Sequence, residues 1–338
     1  MISAESNTSI LGCPACLSAL QPSAKIYNAS SKRANDDLFS QLQIQHCSKC
    51  DYYFTTPHID PKKLDNYYKN TYRSRGNFAS IQLNDISLKS KYGIRAISQL
   101  MLGKQFLKLN GNAKHINFLD IGSGPGMAIL AADKLFNNVH THAWEPDAHS
   151  HSSLESMGCS LYAFPLNMEN FEKIEKRFDF ILMSHVLEHF QPDELSQFLL
   201  GIKSILNKDG ILLIEVPYQH DEVLSSNRNL IPHLSFFSEN SLRRLLHSNF
   251  EIKFLSYGGN FSTAIPKKTN PIPKKRRDHK LRKIFVDQIK KLPLSNALLK
   301  IRRKLMEPAF HEMLKHEYFS YGNTGAMIRA VVKIKTEQ

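Results

Sequence analysis

The segment from Phe118 to Gly126, which reads FLDIGSGPG, constrains the fold of this chain more than any other stretch. It continues a short apolar run, His115 to Leu119, and leads into Met127 to Phe136, where apolar residues recur at helical spacing. Alternating glycines at a strand-to-helix joint let the backbone approach a ligand closely, and the helix start offers unpaired N–H groups. The spacing differs from a dinucleotide fingerprint, whose third glycine falls one residue later. The pattern predicts a ligand-binding turn, with an ordinary tight turn as the alternative.

Further strand ends follow this turn along the chain. Val139 to Trp144 predicts a second strand, and Glu145 stands directly at its end. Phe178 to Ser184 predicts another apolar strand. After a predicted helix from Pro192 to Leu206, the turn sequence NKDG leads into a strand from Ile211 to Pro217. Because ligands bind at the carboxyl ends of parallel strands, an acid at position 145 can accept both hydroxyls of a ribose.

This series of segments resembles the class I S-adenosylmethionine-dependent methyltransferases over roughly residues 90 to 260. LDIGSGPG is similar to their first motif, FDFILMSHVLEHF to their fourth motif and LNKDGILLIEVP to their fifth strand with its lead-in turn. The resemblance implies an α/β enzyme with a Rossmann-like, doubly wound sheet, an antiparallel final strand and S-adenosyl-L-methionine as cofactor. Where the family often has Gly-Asp to hold the adenine, this chain reads FPLNM, and its asparagine is the nearest polar substitute. The implied cofactor-binding residues are Asp120, Gly122, Ser123, Gly124, Gly126, Glu145, Pro146, Asn167 and Ser184.

Four of the five cysteines form two C-x-x-C pairs that are separated by thirty residues. Each pair turns two thiolates toward one point, and two pairs complete a tetrahedral Zn²⁺ site of the closed, structural kind. Such an ion would supply folding free energy to a segment too short to build its own core. A redox pair and four unrelated thiols are the alternatives. The predicted metal ligands are Cys13, Cys16, Cys47 and Cys50.

The residues after the second cysteine pair carry a resemblance of their own. An aromatic strand leads into a helix that we expect to begin with Asp60 as its cap and Pro61 in its first position. The arrangement resembles methyltransferases with an N-terminal zinc ribbon, including sugar C-methyltransferases, which use the ribbon and its helix to cover the acceptor pocket. Packing against the catalytic domain is the alternative role for the aromatic residues. The substrate-binding residues predicted on this basis are Tyr67, Tyr68, Tyr72 and Tyr218.

Two histidines are the predicted catalytic residues. Methyl transfer from a sulfonium needs an acceptor held in line and, where the acceptor carries a proton, a base. The segment HLSFFS, which begins at His233, resembles the segment of the zinc-ribbon sugar C-methyltransferases whose histidine is taken as the general base. The family's preceding tyrosine is missing, so a different acceptor or O-methylation stays open, as does a structural role for His233. His185 is predicted to face the methyl group after the fourth strand.

Length and hydropathy set the domain organisation. The chain has 338 residues and 42% hydrophobic content, which is enough for one large domain and a smaller one. No apolar run approaches the ~20 residues that cross a bilayer, and Met1 to Ile10 lacks the apolar core of a signal peptide, so we expect a cytoplasmic protein. The predicted divisions are 1–58 zinc ribbon, 59–95 helical connector or lid, 96–265 cofactor-binding domain, 266–320 basic helical insertion and 321–338 closing strand.

Residues 266 to 305 carry the whole net charge of the chain, +13. This segment holds fifteen Lys or Arg and two Asp, whereas the rest of the chain has 29 residues of each sign. A basic amphipathic helix can dock on an anionic membrane surface, contact a phosphorylated substrate or bind nucleic acid. A solvated lid or an oligomer contact is the alternative. We favour a lid near a phosphate-bearing or lipid-linked acceptor, with a peripheral membrane contact left open, because the charge is concentrated.

Three functions fit these features. The first is a small-molecule methyltransferase that acts by C- or O-methylation on a saccharide, a nucleotide-sugar or a related biosynthetic intermediate. The second is an RNA methyltransferase, but no base-flipping sequence like Asn-Pro-Pro-Tyr follows the fourth strand. The third is a non-catalytic module that binds the cofactor, which the intact glycines and Glu145 disfavour. We therefore expect the first function, with a small molecule as the partner.

Overall fold

The structure, a computed structural model, describes residues 12–20, 24–27, 36–72, 83–108, 115–219, 224, 230–258 and 327–335. These residues belong to a unit formed by Met1–Asn260 and Phe319–Gln338, and a second unit covers Phe261–Tyr318. The predicted basic insertion at 266–320 therefore lies outside the described residues. Among the described helices, none is both long enough and apolar enough to span a membrane.

The described residues contain eleven strands and six α-helices. The strands are β1 Ala24–Ile26, β2 Gln43–Cys47, β3 Tyr52–Thr56, β4 Ile116–Ile121, β5 Val139–Trp144, β6 Ser160–Tyr162, β7 Phe178–Ser184, β8 Leu206–Pro217, β9 Ser235–Phe236, β10 Phe250–Gly258 and β11 Met327–Ile334. The α-helices are α1 Pro61–Asn66, α2 Lys91–Lys104, α3 Met127–Leu135, α4 His151–Ser156, α5 Leu195–Ile205 and α6 Glu239–His247.

The main sheet has seven strands in the order β10-β11-β8-β7-β4-β5-β6. Strands β4 to β8 pair in parallel, whereas β11 pairs antiparallel with both β8 and β10. Parallel strands that are covered on both faces need continuous apolar sequences, which explains the buried runs of β7 and β8. The predicted α/β fold with a doubly wound sheet and an antiparallel final strand is confirmed. The final strand, β11, lies second from the edge of the sheet, and β10 is the edge strand.

Helices cover both faces of this sheet. On one face, the ring of Phe198 in α5 lies 6.1 Å from the ring of the fully buried Trp144. On the other face, α2 passes so close that a Cβ atom on Gly103 would lie 2.3 Å from the ring of Phe180. Because both faces are covered, charged side chains inside the sheet need partners of opposite charge.

One predicted turn is part of a strand instead. The sequence from Asn207 to Gly210 was expected to form a turn before the strand, but it belongs to β8. The register explains the difference, because Phe178 pairs with Leu206 while Phe180 pairs with Ile211. Asn207 to Gly210 therefore bulge out of the strand pairing between these two positions. The bulge accommodates turn-forming residues without ending the strand.

The cysteine segment builds a second sheet in the order β1-β2-β3-β9. Its fourth strand comes from residues 235–236, far along the chain, because Tyr53 pairs with Phe236. The hydroxyl of Tyr52 donates to Oγ of Ser235 over 2.7 Å, and Oγ of Ser238 donates to the carbonyl of Cys50 over 3.2 Å. The sheet of the cysteine segment is therefore completed by a strand from a distant part of the chain.

The connector after this sheet begins as the sequence indicates. Helix α1 starts at Pro61, and the carboxylate of Asp60 accepts a hydrogen bond from the backbone N–H of Lys63 over 3.0 Å. A π-helical turn, Tyr67–Thr71, follows α1 directly. This turn brings the tyrosines toward the carboxyl ends of the main strands.

A fully buried ion pair links the centre of the main sheet to its antiparallel strand. Nε of Arg329 in β11 lies 2.5 Å from Oε2 of Glu215 in β8, and both side chains are 0% exposed. Arg95 of α2 lies 3.6 Å from the other oxygen of Glu215. Removing one member of such a pair leaves the other charge buried and uncompensated, which is more costly than never having the pair.

We expect Arg329→Met to lower the free energy of unfolding by about 3–5 kcal/mol, because the Glu215 carboxylate loses its strongest partner in a dry site. Urea denaturation followed by circular dichroism measures this change. The control is Arg243→Met, which removes an exposed pair with Glu239 and should cost only about 0.3–0.5 kcal/mol. Equal losses in the two variants would contradict the expected role of the buried pair.

Candidate functional site

A cavity of about 610 Å³ opens at the carboxyl ends of the parallel strands. The end of β4 contributes Gly122 to its lining, the end of β5 contributes Glu145, and the end of β7 contributes His185. The connector contributes Tyr68 and Tyr72, whose rings lie 5.6 and 5.9 Å from that of His189. One cavity therefore joins the predicted cofactor end to the predicted acceptor end.

The glycine turn has the left-handed backbone that its sequence predicts. Gly122, Gly124 and Gly126 have φ values of +67°, +53° and +92°. A Cβ atom on Gly122 would lie 2.6 Å from a methyl of Val186, and one on Gly126 would lie 2.4 Å from Cε of Met157. A larger residue is therefore excluded by backbone conformation and by space. Helix α3 begins directly after Gly126, so its unpaired N–H groups face the turn.

The carboxylate of Glu145 is buried at the end of β5 and lines the cavity. Its Oε2 accepts a hydrogen bond from the backbone N–H of Gly124 over 2.6 Å, and its Oε1 accepts one from the N–H of Asp147 over 2.9 Å. Asp120 is buried at the end of β4, where burial and the negative charge of Glu145 raise the pKa of its carboxyl well above its usual value. The two backbone hydrogen bonds hold the carboxylate of Glu145 against the glycine turn.

Another part of the cavity lining combines a polar side chain with apolar surface, which suits a flat ring with polar edges. Asn167 lines this part, and the buried side-chain oxygen of Asn167 has no hydrogen-bond partner among the described residues. Leu166 and Phe198 provide apolar surface beside it, and Pro146 follows Glu145 along the wall. An orphaned acceptor, a buried acid and a turn that excludes Cβ atoms are the features that adenine, ribose and methionine groups require. The residues present therefore fit S-adenosyl-L-methionine.

The loop after β7 places a histidine in a strained backbone between two buried acids. His185 has a φ of +57°, which is uncommon for a residue with a side chain. Its Nδ1 lies 3.0 Å from Glu188 and its Nε2 lies 3.6 Å from Glu215. Burial by itself would lower the pKa of His185, but the adjacent carboxylates of Glu188 and Glu215 outweigh burial and raise it to about 9. His185 is therefore cationic at neutral pH.

Two further histidines lie against this loop. The rings of His189 and His233 are 5.1 Å apart, and His189 lines the cavity while His233 packs behind it. Burial lowers the pKa of His189 to about 4, in spite of the nearby Glu188, and burial also lowers the pKa of His233. Burial would raise the pKa of Glu188, but His185 lowers it to about 2. The loop thus combines one cationic imidazole, one carboxylate and two neutral imidazoles.

Residues 93–252 match the model of a protein family described as "Methyltransferase domain". The match contains the glycine turn, Glu145 and the histidine loop. Residues 93–252 are similar in sequence to methyltransferase domains. Among curated proteins, none matches the sequence.

Several solved structures are similar to this chain. TehB from Haemophilus influenzae is 20% identical with a TM-score of 0.38, over 48% of this chain and 53% of that chain. The mitomycin 7-O-methyltransferase MmcR is 19% identical with a TM-score of 0.38, over 48% of this chain and 49% of that chain. A SAM dependent methyltransferase from Archaeoglobus fulgidus is 16% identical with a TM-score of 0.42, over 72% and 94%. The chain spans about half the length of the first two, and nothing about the acceptor follows from them.

The four predicted substrate tyrosines have different surroundings in the structure. Tyr68 and Tyr72 line the cavity, and the hydroxyl of Tyr68 donates to the carbonyl of Pro232 over 3.3 Å. Tyr67 is buried, with its ring 5.1 Å from that of Phe39. Tyr218 stacks on Tyr257 at 5.1 Å and is not among the residues that line the cavity. Two of the four therefore have direct access to a bound acceptor.

The remaining predicted cofactor residues surround the cavity without lining it. Ser184 accepts a hydrogen bond from Nε2 of Gln99 over 2.8 Å and lies 3.4 Å from Glu215. Ser123, Gly124 and Gly126 belong to the turn and are set back from the open space. Their backbone conformation shapes the site, whereas the side chains that reach into it come from other positions.

The four predicted metal ligands lie together. The Sγ atoms of Cys13, Cys16, Cys47 and Cys50 are all within 4.8 Å of one another. Two of the separations are 3.6 and 3.7 Å, close to the about 3.8 Å between sulfurs of a tetrahedral site with Zn–S bonds of about 2.3 Å. The contact with Cys50 lowers the pKa of the Cys13 thiol to about 5, which favours a thiolate. Four thiols in this arrangement fit a zinc ion and exclude the interpretation as unrelated residues.

Sequence reasoning did not select several residues of the site. Glu188 and His189 are adjacent in the VLEHF sequence, and a Glu-His pair directly after a buried strand was the available signal. Glu194 also lines the cavity, where burial and the charge of Asp193 raise its pKa to about 7. No local sequence pattern indicated that Glu215 pairs with Arg329, because the two residues are more than a hundred positions apart in the chain.

We expect Glu145→Gln to weaken binding of S-adenosylhomocysteine by about 10- to 100-fold, because a charge-assisted hydrogen bond to the ribose contributes about 1.5–3 kcal/mol. Isothermal titration calorimetry measures the change. Glu155→Gln, an exposed change on α4, is the matched control and should bind as the wild type does. Undiminished affinity in Glu145→Gln would rule out the ribose contact.

Proposed function

We propose that this methyltransferase acts on a small biosynthetic intermediate, a saccharide or nucleotide-sugar, by C- or O-methylation. The observation that supports this most is the single cavity that runs from Gly122 and Glu145 to Tyr68, Tyr72 and His189. Its volume of about 610 Å³ falls in the range of small-molecule sites. The connector after the cysteine sheet covers the acceptor end, so a compact acceptor suits this space better than a polymer.

The charges of the lining favour an acceptor group that is uncharged and rich in hydroxyls. Six acidic residues line the cavity, against Lys69 and the cationic His185. The acidic residues are Asp65, Glu145, Asp147, Glu169, Asp193 and Glu194. These charges attract the cationic sulfonium donor and repel phosphates. Residues 266–305 are our proposed contact for a phosphate or lipid carrier on the acceptor.

The two predicted catalytic histidines have distinct proposed roles. The donor supplies an electrophilic methyl group when bound. His185, which is cationic and lines the cavity, is proposed to face the transferred methyl group, where its positive charge attracts the developing negative charge of the acceptor. His233, which is neutral because burial lowers its pKa, is proposed to promote removal of the acceptor's proton from its position behind His189. Tyr68 and Tyr72 are proposed to contact the acceptor.

Zinc is proposed at the four cysteines, where it has a structural role. Four sulfur ligands leave no open position for a substrate. The ion would hold β2 and β3 together, and β3 pairs with β9 two residues after His233. The cysteine site therefore stabilises the segment that carries His233, although it lies outside the cavity.

An RNA acceptor has no supporting observation in the described residues. A nucleic-acid site needs positive charge along the path of the phosphates, and the lining of the cavity is acidic. A module that binds the donor without transfer would have no need of the buried Glu188 and the histidines at the acceptor end. A cytoplasmic location with a peripheral membrane contact stays a prediction.

Incubation with S-adenosylmethionine labelled in the methyl group and with fractionated cell extract tests the proposed acceptor. We expect label in a polar, low-mass compound that resists nuclease, and almost none with Glu145→Gln. His233→Ala should lower turnover by roughly 100-fold or more while the affinity for S-adenosylhomocysteine is kept. Label that disappears after RNase treatment would support an RNA substrate instead, and wild-type turnover in His233→Ala would remove its catalytic role.

We expect Cys47→Ser to lose one bound zinc ion and to lower the melting temperature, because the ion contributes folding free energy to the sheet that β9 completes. Elemental analysis and thermal unfolding measure the two effects. Cys159→Ser is the control, since Cys159 lies apart from the other cysteines and should keep both values unchanged. Unchanged zinc content in Cys47→Ser would contradict the proposed site.

A further inference from the structure

A second cluster of metal-binding side chains lies at the wall of the cavity. Glu188, His189 and His233 each offer a ligand atom within 4.8 Å of the other two. In the part of the chain that the structure describes, this cluster and the four cysteines are the two groups with such geometry. A carboxylate and two imidazoles form a donor set that is common in metal sites with an open coordination position.

The cluster contains buried polar atoms that nothing in the protein satisfies. Glu188 is 0% exposed, and its Oε2 has no hydrogen-bond partner among the described residues, whereas Oε1 lies 3.0 Å from His185. Nδ1 of His189 is equally buried and also without a partner there. Unpaired buried polar atoms cost free energy, so their convergence on one point calls for a ligand. A cation at that point would satisfy both.

The surroundings hold the three side chains in place. The backbone N–H of Leu234 donates to the carbonyl of Glu188 over 2.7 Å, which joins the His233 segment to the loop. The ring of Tyr68 packs 5.6 Å from the ring of His189. The amide of Gln219 lies 3.4 Å from Nδ1 of His233. The amide atom nearest to Nδ1 is the nitrogen Nε2, and this contact orients the imidazole of His233.

We propose that Glu188, His189 and His233 bind a divalent first-row metal ion, for which zinc is the suitable probe. Three protein ligands leave at least one position open, and it faces the acceptor end because His189 lines the cavity. The role of the ion rests on the proposed function: the ion binds an acceptor hydroxyl and lowers the pKa of that hydroxyl, as zinc lowers the pKa of bound water. His233 then acts as a ligand and promotes loss of the proton through the ion.

The zinc content of the full chain tests this proposal. Equilibrium dialysis against micromolar Zn²⁺, followed by elemental analysis, should give two ions per wild-type chain. Glu188→Gln and His189→Gln should each keep one ion, at the cysteines. The matched controls Glu155→Gln and His247→Gln change exposed residues and should keep two. The double variant with Cys47→Ser and His189→Gln should keep none.

Circular dichroism melting shows whether each variant folds. If Glu188→Gln does not fold, the zinc content of His189→Gln tests the proposal. A single ion in the wild type, or two ions in the folded His189→Gln variant, would overturn the proposal. The measurement involves no methyl transfer. A chain that binds two ions but labels no small molecule would therefore contradict the proposed function alone.

Discussion

The buried carboxylate of Glu215 organises the site. It is fully buried in β8, and it contacts Arg329 of the antiparallel strand, Arg95 of α2 and His185 of the loop after β7. A carboxylate in a dry environment is stable only when opposite charges surround it, so its partners are held in position. The left-handed backbone of His185 is maintained by these contacts and by Glu188. The geometry of the acceptor end thus depends on an ion pair beneath it.

The cysteine sheet acts on the site through backbone hydrogen bonds. Strand β3 pairs with β9, and the N–H of Thr55 donates to the carbonyl of Leu234 over 2.9 Å. The backbone N–H of Leu234 donates in turn to the backbone carbonyl of Glu188. A continuous path of backbone contacts therefore runs from the four cysteines to the histidine loop. A segment that lacks a large core gains its rigidity from this shared sheet, and the loop gains a fixed neighbour.

Charge is distributed unevenly along the cavity. Carboxylates surround the space where a cationic donor fits, whereas the acceptor end combines a cationic His185 with the neutral His189. Burial produces this difference, because it lowers the pKa of an isolated imidazole but not that of one paired with two acids. Three histidines of one local region therefore have different protonation states, which their shared residue type does not reveal.

The sequence alone determined the sheet and the cofactor end. Strands β5 and β7 have the predicted bounds, and the glycine turn and Glu145 lie together, because hydrophobic periodicity and turn chemistry are local properties. The C-x-x-C spacing likewise predicted the cysteine cluster. Only the tertiary structure brought Arg329 to Glu215, β9 to the cysteine sheet, and Glu188, His189 and His233 together. These contacts join segments far apart in the chain, and their free energy depends on burial and pairing that no local pattern records.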